Sequence, residues 1–539
     1  MTSGGATKPM GILERLASAA PLCGALAFLA AFVVVPVAAM FLSTVWVDGG
    51  LSFASFREIL ATEADRVQLL RTLALGLVGT AIAVLAGAGH VWLCLRTDMP
   101  AGSWLLPLGI APLVLPPILV AMGFADFTDV RGFFACAALL GVSYAPFVAV
   151  LTARGLRSID GRLYESALMA RGPLHAEGLL LRMVAPELVA GALLAFVFVI
   201  GEHGVPEFLT VKGKTWHTYA EGVFGRWTRR NVGLDPLAVN APIVAAVPLV
   251  ALVALGLAVA LKLRARATLT GDPQPLPIRR LGSLRWPALA LPTAWLCAGV
   301  VAPVVVMTLW AFGSTQLNEP MAVTTFVKSL RNALAQAGSD LWQTTGIAIA
   351  TTGLLTVVAI PLARRAARGS RWIEPLAVLS IAVPAVLLAI GQVRIFNREV
   401  FGSFYDSSAM VVCAYGARLL PFAVLTLAQW ARRVPPELGE AALLSGRGPL
   451  ARAWYVELPP LLPAIGAAAC LVFVLALREL DTAVVLPAGN GTVVRRLSNV
   501  VHFGGEDVGG ALALLLLGIA VLVPGLVVLL TGKRLRSLS

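Results

Sequence analysis

Charged side chains are scarce in this sequence. Asp, Glu, Lys and Arg make up 13% of its 539 residues, about half the share of a soluble globular chain. Hydrophobic residues reach 58% and the mean hydropathy is +0.84. No water-soluble fold can cover that much apolar surface, whereas a polytopic membrane protein leaves it in lipid. Cysteine is also sparse. Cys23, Cys94, Cys136, Cys297, Cys413 and Cys470 all sit inside apolar runs without CxxC spacing, which favours small packing residues over disulfides or a metal site. The five histidines are scattered without ligand spacing. His90, inside an apolar run, reads as a buried hydrogen-bonded side chain rather than a transport group. A nucleotide loop is missing too: "VKGKT" at Val211 has Phe208 where a Walker A loop needs glycine. With no nucleophile–base constellation, the chain by itself is expected to be a non-enzyme without a cofactor of its own.

The net charge of +13 lacks the aromatic–basic stripe of a nucleic-acid binder. It suits cytoplasmic loops facing anionic lipid. The apolar run from Ala19 to Val47 is too long for a signal-peptide core and shows no cleavage site, so it reads as the first spanning helix. Spans of roughly 20 residues are expected near 20–46, 70–95, 103–124, 132–153, 184–201, 238–262, 287–312, 341–363, 372–392, 408–430, 461–478 and 508–531. That gives an all-α integral membrane protein of about 12 helices. With the N-terminus inside, about 25 of the 42 Lys and Arg residues fall in inside segments, which places both termini in the cytoplasm. The basic outside loop 202–237 runs against that bias.

The chain repeats itself. "PVAAMFL" at Pro36 returns as "PVVVMTL" at Pro303, and Pro107, Pro116, Ala121 and Gly123 return as Pro375, Pro384, Ala389 and Gly391. Pro146-Phe147 returns as Pro421-Phe422, and Glu202 as Glu479. Ordered matches along the whole chain point to two tandem six-helix units, 1–262 (core about 67–260) and 287–539 (core about 339–530). Between them a Pro-rich linker, 263–286, suits a solvated cytoplasmic connection. Parallel repeats imply a pseudo-two-fold axis along the membrane normal with a path at their interface.

A polar segment follows the fourth span of each unit. In the second, Pro435-Pro436 suits a helix start and Glu437 and Glu440 favour its positive end, while Gly446, Gly448 and Pro449 stop it. About ten residues of helix are not stable alone and need a surface to lie on. A helix that merely connects spans would explain one such segment. Two at equivalent positions, each followed by Gly-Pro-Leu, point to docking.

Glu440-Ala441-Ala442, then Gly446, then Val456, Leu458 and Pro459 resemble the EAA loop of binding-protein-dependent ABC importer permeases, with every spacing in agreement. The first copy departs. Glu165, Ser166 and Ala167 fit, but Arg171 stands at the glycine position, Gly172 comes one later, and Ala185-Pro186 two late. The resemblance implies coupling helices that dock on two copies of a cytoplasmic ABC ATPase carrying ATP and Mg, an extracytoplasmic solute-binding protein, and a bacterial inner-membrane location. Two units in one chain resemble the fused permeases for ferric iron, thiamine and aminoethylphosphonate. "GEHGVPEFL" at Gly201 and "ALRELDTAVVLPAGNG" at Ala476 resemble the ferric-iron branch most.

Glu202, Glu479 and Asp481 fall at the outer ends of spans, where they would flank the mouth of a path and favour a hard cation. Arg478 beside Glu479 also reads as a plain interfacial pair. Two further readings stay open, a 12-helix secondary transporter and a membrane scaffold. The docking loops and the proline-rich spans argue against them respectively.

Overall fold

The computed structural model describes residues 12–47, 49–53, 56, 63–128, 130–210, 217–222, 243–244, 247, 250–251, 253–256, 259, 274–313, 321–432, 434, 437–438, 441, 449–486, 491–503 and 506–536. The chain opens with α1 (Ile12–Leu29), which runs through a π-helical turn, Ala30–Val34, into α2 (Val35–Val45) and a two-residue hairpin, β1 (Trp46–Val47) with β2 (Gly50–Leu51). Next come α3 (Glu63–Arg96), α4 (Gly102–Leu108), α5 (Pro117–Phe127), α6 (Phe133–Arg157), α7 (Gly161–Arg171), α8 (Pro173–Gly201) and α9 (Gly204–Thr210). The second half begins with α10 (Ala290–Leu296), a π-helical turn at Cys297–Val301 and α11 (Ala302–Ala311). It continues with α12 (Val323–Ala367), α13 (Ile373–Ala382), α14 (Ala385–Phe396), α15 (Gly402–Tyr405) and α16 (Ser408–Ala431). After α16 come α17 (Pro449–Arg452), α18 (Leu462–Leu477), α19 (Asp481–Val485), α20 (Val493–Phe503) and α21 (Glu506–Arg536).

Among the described residues, nine helices are long and apolar enough to cross a membrane, and two bent pairs raise the number to 11. The sixth expected span, 238–262, lies mostly outside the described residues. The third and ninth expected spans are not straight. Gly102–Val114 meets Pro117–Ala125 at 87°, and Ile373–Ala382 meets Ala385–Phe396 at 101°. Each break precedes a helix whose N-cap is proline, Pro116 or Pro384, because the ring removes a backbone donor and fixes φ. The expected fifth span is too short as well. Its helix starts at Pro173, not 184, since Pro173 is tolerated at a first helical turn and nothing breaks the run until Gly201. Likewise the eighth runs 45 residues, Val323–Ala367, about 68 Å, well beyond a hydrocarbon core of about 30 Å.

Several features of the first half recur in the second. The two π-helical turns lie 267 residues apart, and the two proline breaks 268. Tyr219 N–H donates to Thr72 Oγ1 (2.8 Å) as Val493 N–H donates to Thr344 Oγ1 (2.9 Å). The first helix of each half packs on the other half. Gln392 Nε2 donates to Phe32 O (2.9 Å), Arg394 to Ser43 Oγ (2.6 Å), and Trp295 Nε1 to Val142 O (3.0 Å). The halves are therefore interlocked.

Candidate functional sites: docking loops and a buried polar cluster

α7 follows α6 after a short turn. Asp160 caps it, accepting from Arg162 N–H (3.0 Å), which satisfies one of the free donors of the first turn. Its last residue is Arg171, and Gly172 then takes φ +80°, ψ 179°, a region open in practice to glycine alone. Pro173 starts α8 directly after this corner. The inner face of α7 is Gly161 and Tyr164, both buried, with Ala167 half-buried. Tyr164 OH donates to Glu177 Oε1 (2.8 Å). Desolvation and that carboxylate raise its phenol above the usual range. Glu165 is exposed. So are Leu163, Leu168, Met169 and, just past the corner, Leu174, the last two at 83% and 91%. These four side chains form an exposed apolar row on α7 and its corner.

In the second loop Ala441 is helical and exposed, Leu458 half-buried and Pro459 exposed. Glu440, Ala442 and Gly446 lie outside the described residues. Glu457 gathers three arginines: Arg364 at the end of α12, Arg452 (3.1 Å) and Arg368 (3.5 Å). The first half makes a comparable joint, in which Arg96 at the end of α3 pairs with Glu177 (3.2 Å). Arg96 and Arg364 are 268 residues apart, the spacing of the proline matches, so this joint was detectable in sequence but not singled out there.

The second cluster lies between the halves. Tyr144 OH donates to Glu202 Oε2 (2.6 Å), and His203 Nδ1 lies 2.7 Å from Asp481 Oδ1 across the interface. Glu479 Oε1 accepts from Thr482 Oγ1 (2.6 Å), and Tyr415 OH donates to the Glu479 carbonyl (3.1 Å). Glu202, expected to flank the mouth of a path, is only 8% exposed and part of a buried network in this conformation. Nor does Arg478 form a plain interfacial pair. It donates to Leu113 O (2.7 Å) and Leu115 O (3.4 Å), in the break of the first bent pair. Arg418 does the same for the second, donating to Ser380 O (2.9 Å) and Val383 O (3.0 Å). Each break frees carbonyls that no helix satisfies, and Nη1 of a buried arginine donates to two of them.

Below the network, Phe147, Phe198 and Phe422 stack at centroid distances of 4.9–6.0 Å. Tyr144 joins them to the network. Phe147 and Phe422, which matched in sequence, thus meet across the interface, and both line an apolar cavity of about 920 Å³ between the halves. Among the described residues no group of three or more His, Cys, Asp or Glu side chains is placed to hold a metal ion. His90 is buried, edge-on to Trp295 (centroids 5.0 Å).

Residues 355–536 match the family described as binding-protein-dependent transport system inner membrane component. The molybdenum transport system permease protein ModB of Mycobacterium tuberculosis is 32% identical over 203 residues, 35% of this chain and 75% of ModB. The chain belongs to this family of inner membrane transport components. The Fe(3+)-transport system permease protein FbpB 2 of Haemophilus influenzae is 22% identical over 391 residues, 70% of this chain and 73% of FbpB 2. The ABC transporter permease protein ORF1 of Streptomyces antibioticus is 36% identical over 144 residues, and the chain spans 62% of that relative's length. In this permease component the matched region holds the second loop, Glu479 and Asp481, while α7 and Glu202 lie before it.

Proposed function

We propose that the chain is the whole membrane path of an ATP-driven importer. Its two six-helix units, 1–262 and 287–539, would rock against one another when two copies of a cytoplasmic ABC ATPase close on α7 and on the loop 437–459. The exposed apolar row of α7 carries this reading. Met169 and Leu174 stand 83% and 91% exposed among the described residues, and a partner cleft is a surface that would bury them. A secondary transporter has no use for such a row. Cargo handed over by an extracytoplasmic binding protein would enter at the polar network. In this conformation its carboxylates are engaged by Tyr144, His203 and Thr482, and the three phenylalanines close the route beneath. That supports a closed outer gate.

For cargo we propose ferric iron. FbpB 2 is similar to the chain over 391 residues, a length that reaches into both halves. The molybdenum relative is more identical over a shorter stretch, so molybdate is the competing cargo. The test is to delete the gene and measure uptake of labelled iron and labelled molybdate, with thiamine and a phosphonate as controls. Loss of iron uptake alone is the expected result. Loss of any other cargo with iron unchanged rejects the assignment but leaves the importer reading intact.

A further inference from the structure

We infer that Arg96 is a positioning residue for the first docking helix, and that the inter-half segment 274–281 is a strap held by the same residue. The inference rests on the reading of α7 as a docking helix. Arg96 closes α3 and is 2% exposed. One arm of its guanidinium donates to Glu177 Oε1 (3.2 Å), the other to Pro277 O. Its Cζ lies over the Tyr164 ring, 4.6 Å from the centroid, and the Tyr164 hydroxyl donates to the same Glu177 oxygen. One planar fork therefore grips the strap, the base of α8 and the inner face of α7.

The strap is pinned along its backbone as well. Arg279 N–H donates to Arg96 O (2.7 Å), Asp98 N–H to Arg279 O (3.2 Å), and Leu281 N–H to Asp98 Oδ1 (2.8 Å). At the other end, Gly161 N–H donates to Gln274 O (2.9 Å), and Gln274 N–H reaches the same Asp160 oxygen that caps α7 (3.4 Å). The described part of the expected solvated linker is therefore a fixed contact between the ends of α3 and α7. It leads directly through 282–289 into α10. A displacement of α7 must pull on the long helix of its own half and on the entry to the other half. The second loop is tied to α12 by Arg364, Glu457 and Arg452, and among the described residues no strap covers that joint. The first loop is thus clamped on two sides.

The test uses the full chain with its ATPase, in proteoliposomes and by hydrogen exchange. Lysine has no planar fork and cannot reach both acceptors while lying flat on a ring. Arg96→Leu should speed exchange of the 274–281 amides by about tenfold or more, with Arg96→Lys between it and wild type. Gly161→Ala acts without touching Arg96. The added Cβ would stand 2.5 Å from the Pro275 carbonyl oxygen, so it should release 274–276 alone. Should Arg96→Leu fail to insert, these two variants carry the experiment. For transport, Arg96→Leu should lower uptake about fivefold while ATP hydrolysis by the complex stays within about twofold, the signature of lost coupling. Unchanged exchange overturns the strap. Faster exchange with unchanged uptake overturns the positioning role, as does a parallel fall of uptake and hydrolysis with loss of the ATPase. A wild-type chain that binds no ATPase rejects the importer reading instead, and the exchange result still decides the strap.

Discussion

At the scale of single residues, the first of the two polar loops shows how a departure from a motif is absorbed. Arg171 stands where the resemblance places glycine, but it is the last residue of α7 and exposed, and the corner falls on Gly172. Arg171→Gly should therefore be nearly silent in uptake, costing about 1 kcal/mol of helix propensity at most. Gly172→Ala forces a side chain into φ +80°, ψ 179° and should cost about 1–3 kcal/mol, read as a lower Tm and weaker ATPase co-purification. In the second loop Gly446→Asp should abolish uptake and loosen the ATPase while membrane abundance holds. Wild-type transport by that variant would show that the tighter contact lies in the first loop. The buried arginines make a separate prediction. Arg418→Met leaves the Ser380 and Val383 carbonyls without their donor, at about 1–3 kcal/mol each. It should lower the Tm in detergent more than Arg432→Met, whose partner Glu374 sits in a more exposed pair. Arg418 was visible in the sequence only as a charge inside a span. Its purpose was not, because a carbonyl freed by a bent helix leaves no trace in composition.

At the scale of elements, the sequence carried length and polarity well and direction poorly. The apolar runs located the described spans, since lipid demands about 20 apolar residues of any crossing helix. The breaks before Pro116 and Pro384 were written as prolines, but hydropathy sums residues without regard to direction, so two arms at 87° and 101° read as straight spans. The start of α8 was missed because His175, Glu177 and Arg182 lower the average there, while backbone hydrogen bonding continues through them. The carboxylates at 202, 479 and 481 were expected to flank the outer mouth of a path. Glu202 is instead buried and the other two half-buried, and two of their partners, Tyr144 and His203, come from far along the chain, where no local pattern announces them. Asp481→Asn tests the cross-half contact. It removes the charge facing His203 at 2.7 Å and should weaken closure, raising ATP hydrolysis in the absence of binding protein. Unchanged basal hydrolysis would mean that this pair does not hold the outer gate.

At the scale of the whole molecule, the proposed transport cycle requires the two halves to move against each other. Each half lays its first helix on the other, which holds the halves together at their flanks. The contact at the centre is different. Phe147 and Phe422 meet ring to ring at 5.7 Å with the 920 Å³ cavity beside them, and aromatic stacking of this kind is worth only about 0.5–1.5 kcal/mol beyond area burial. Interlocked flanks suit rocking about the flanks, with the central phenylalanine contact and the His203–Asp481 and Arg478–Leu113 contacts beside it as the ones that must part. A chain with its native cysteines replaced, all six of which are free thiols, can carry Phe147→Cys with Phe422→Cys. A short bifunctional thiol reagent should then join the halves, detected by cutting a protease site engineered into 263–273 and finding one band rather than two. The joined protein should lose ATP-driven uptake, and reducing a cleavable reagent should restore it. Trapping the ATPase in its closed state before adding the reagent should lower the yield severalfold, because the rings must part to open a path. A yield that does not change between the two states would place the moving contact elsewhere and leave the three phenylalanines as static packing between the halves.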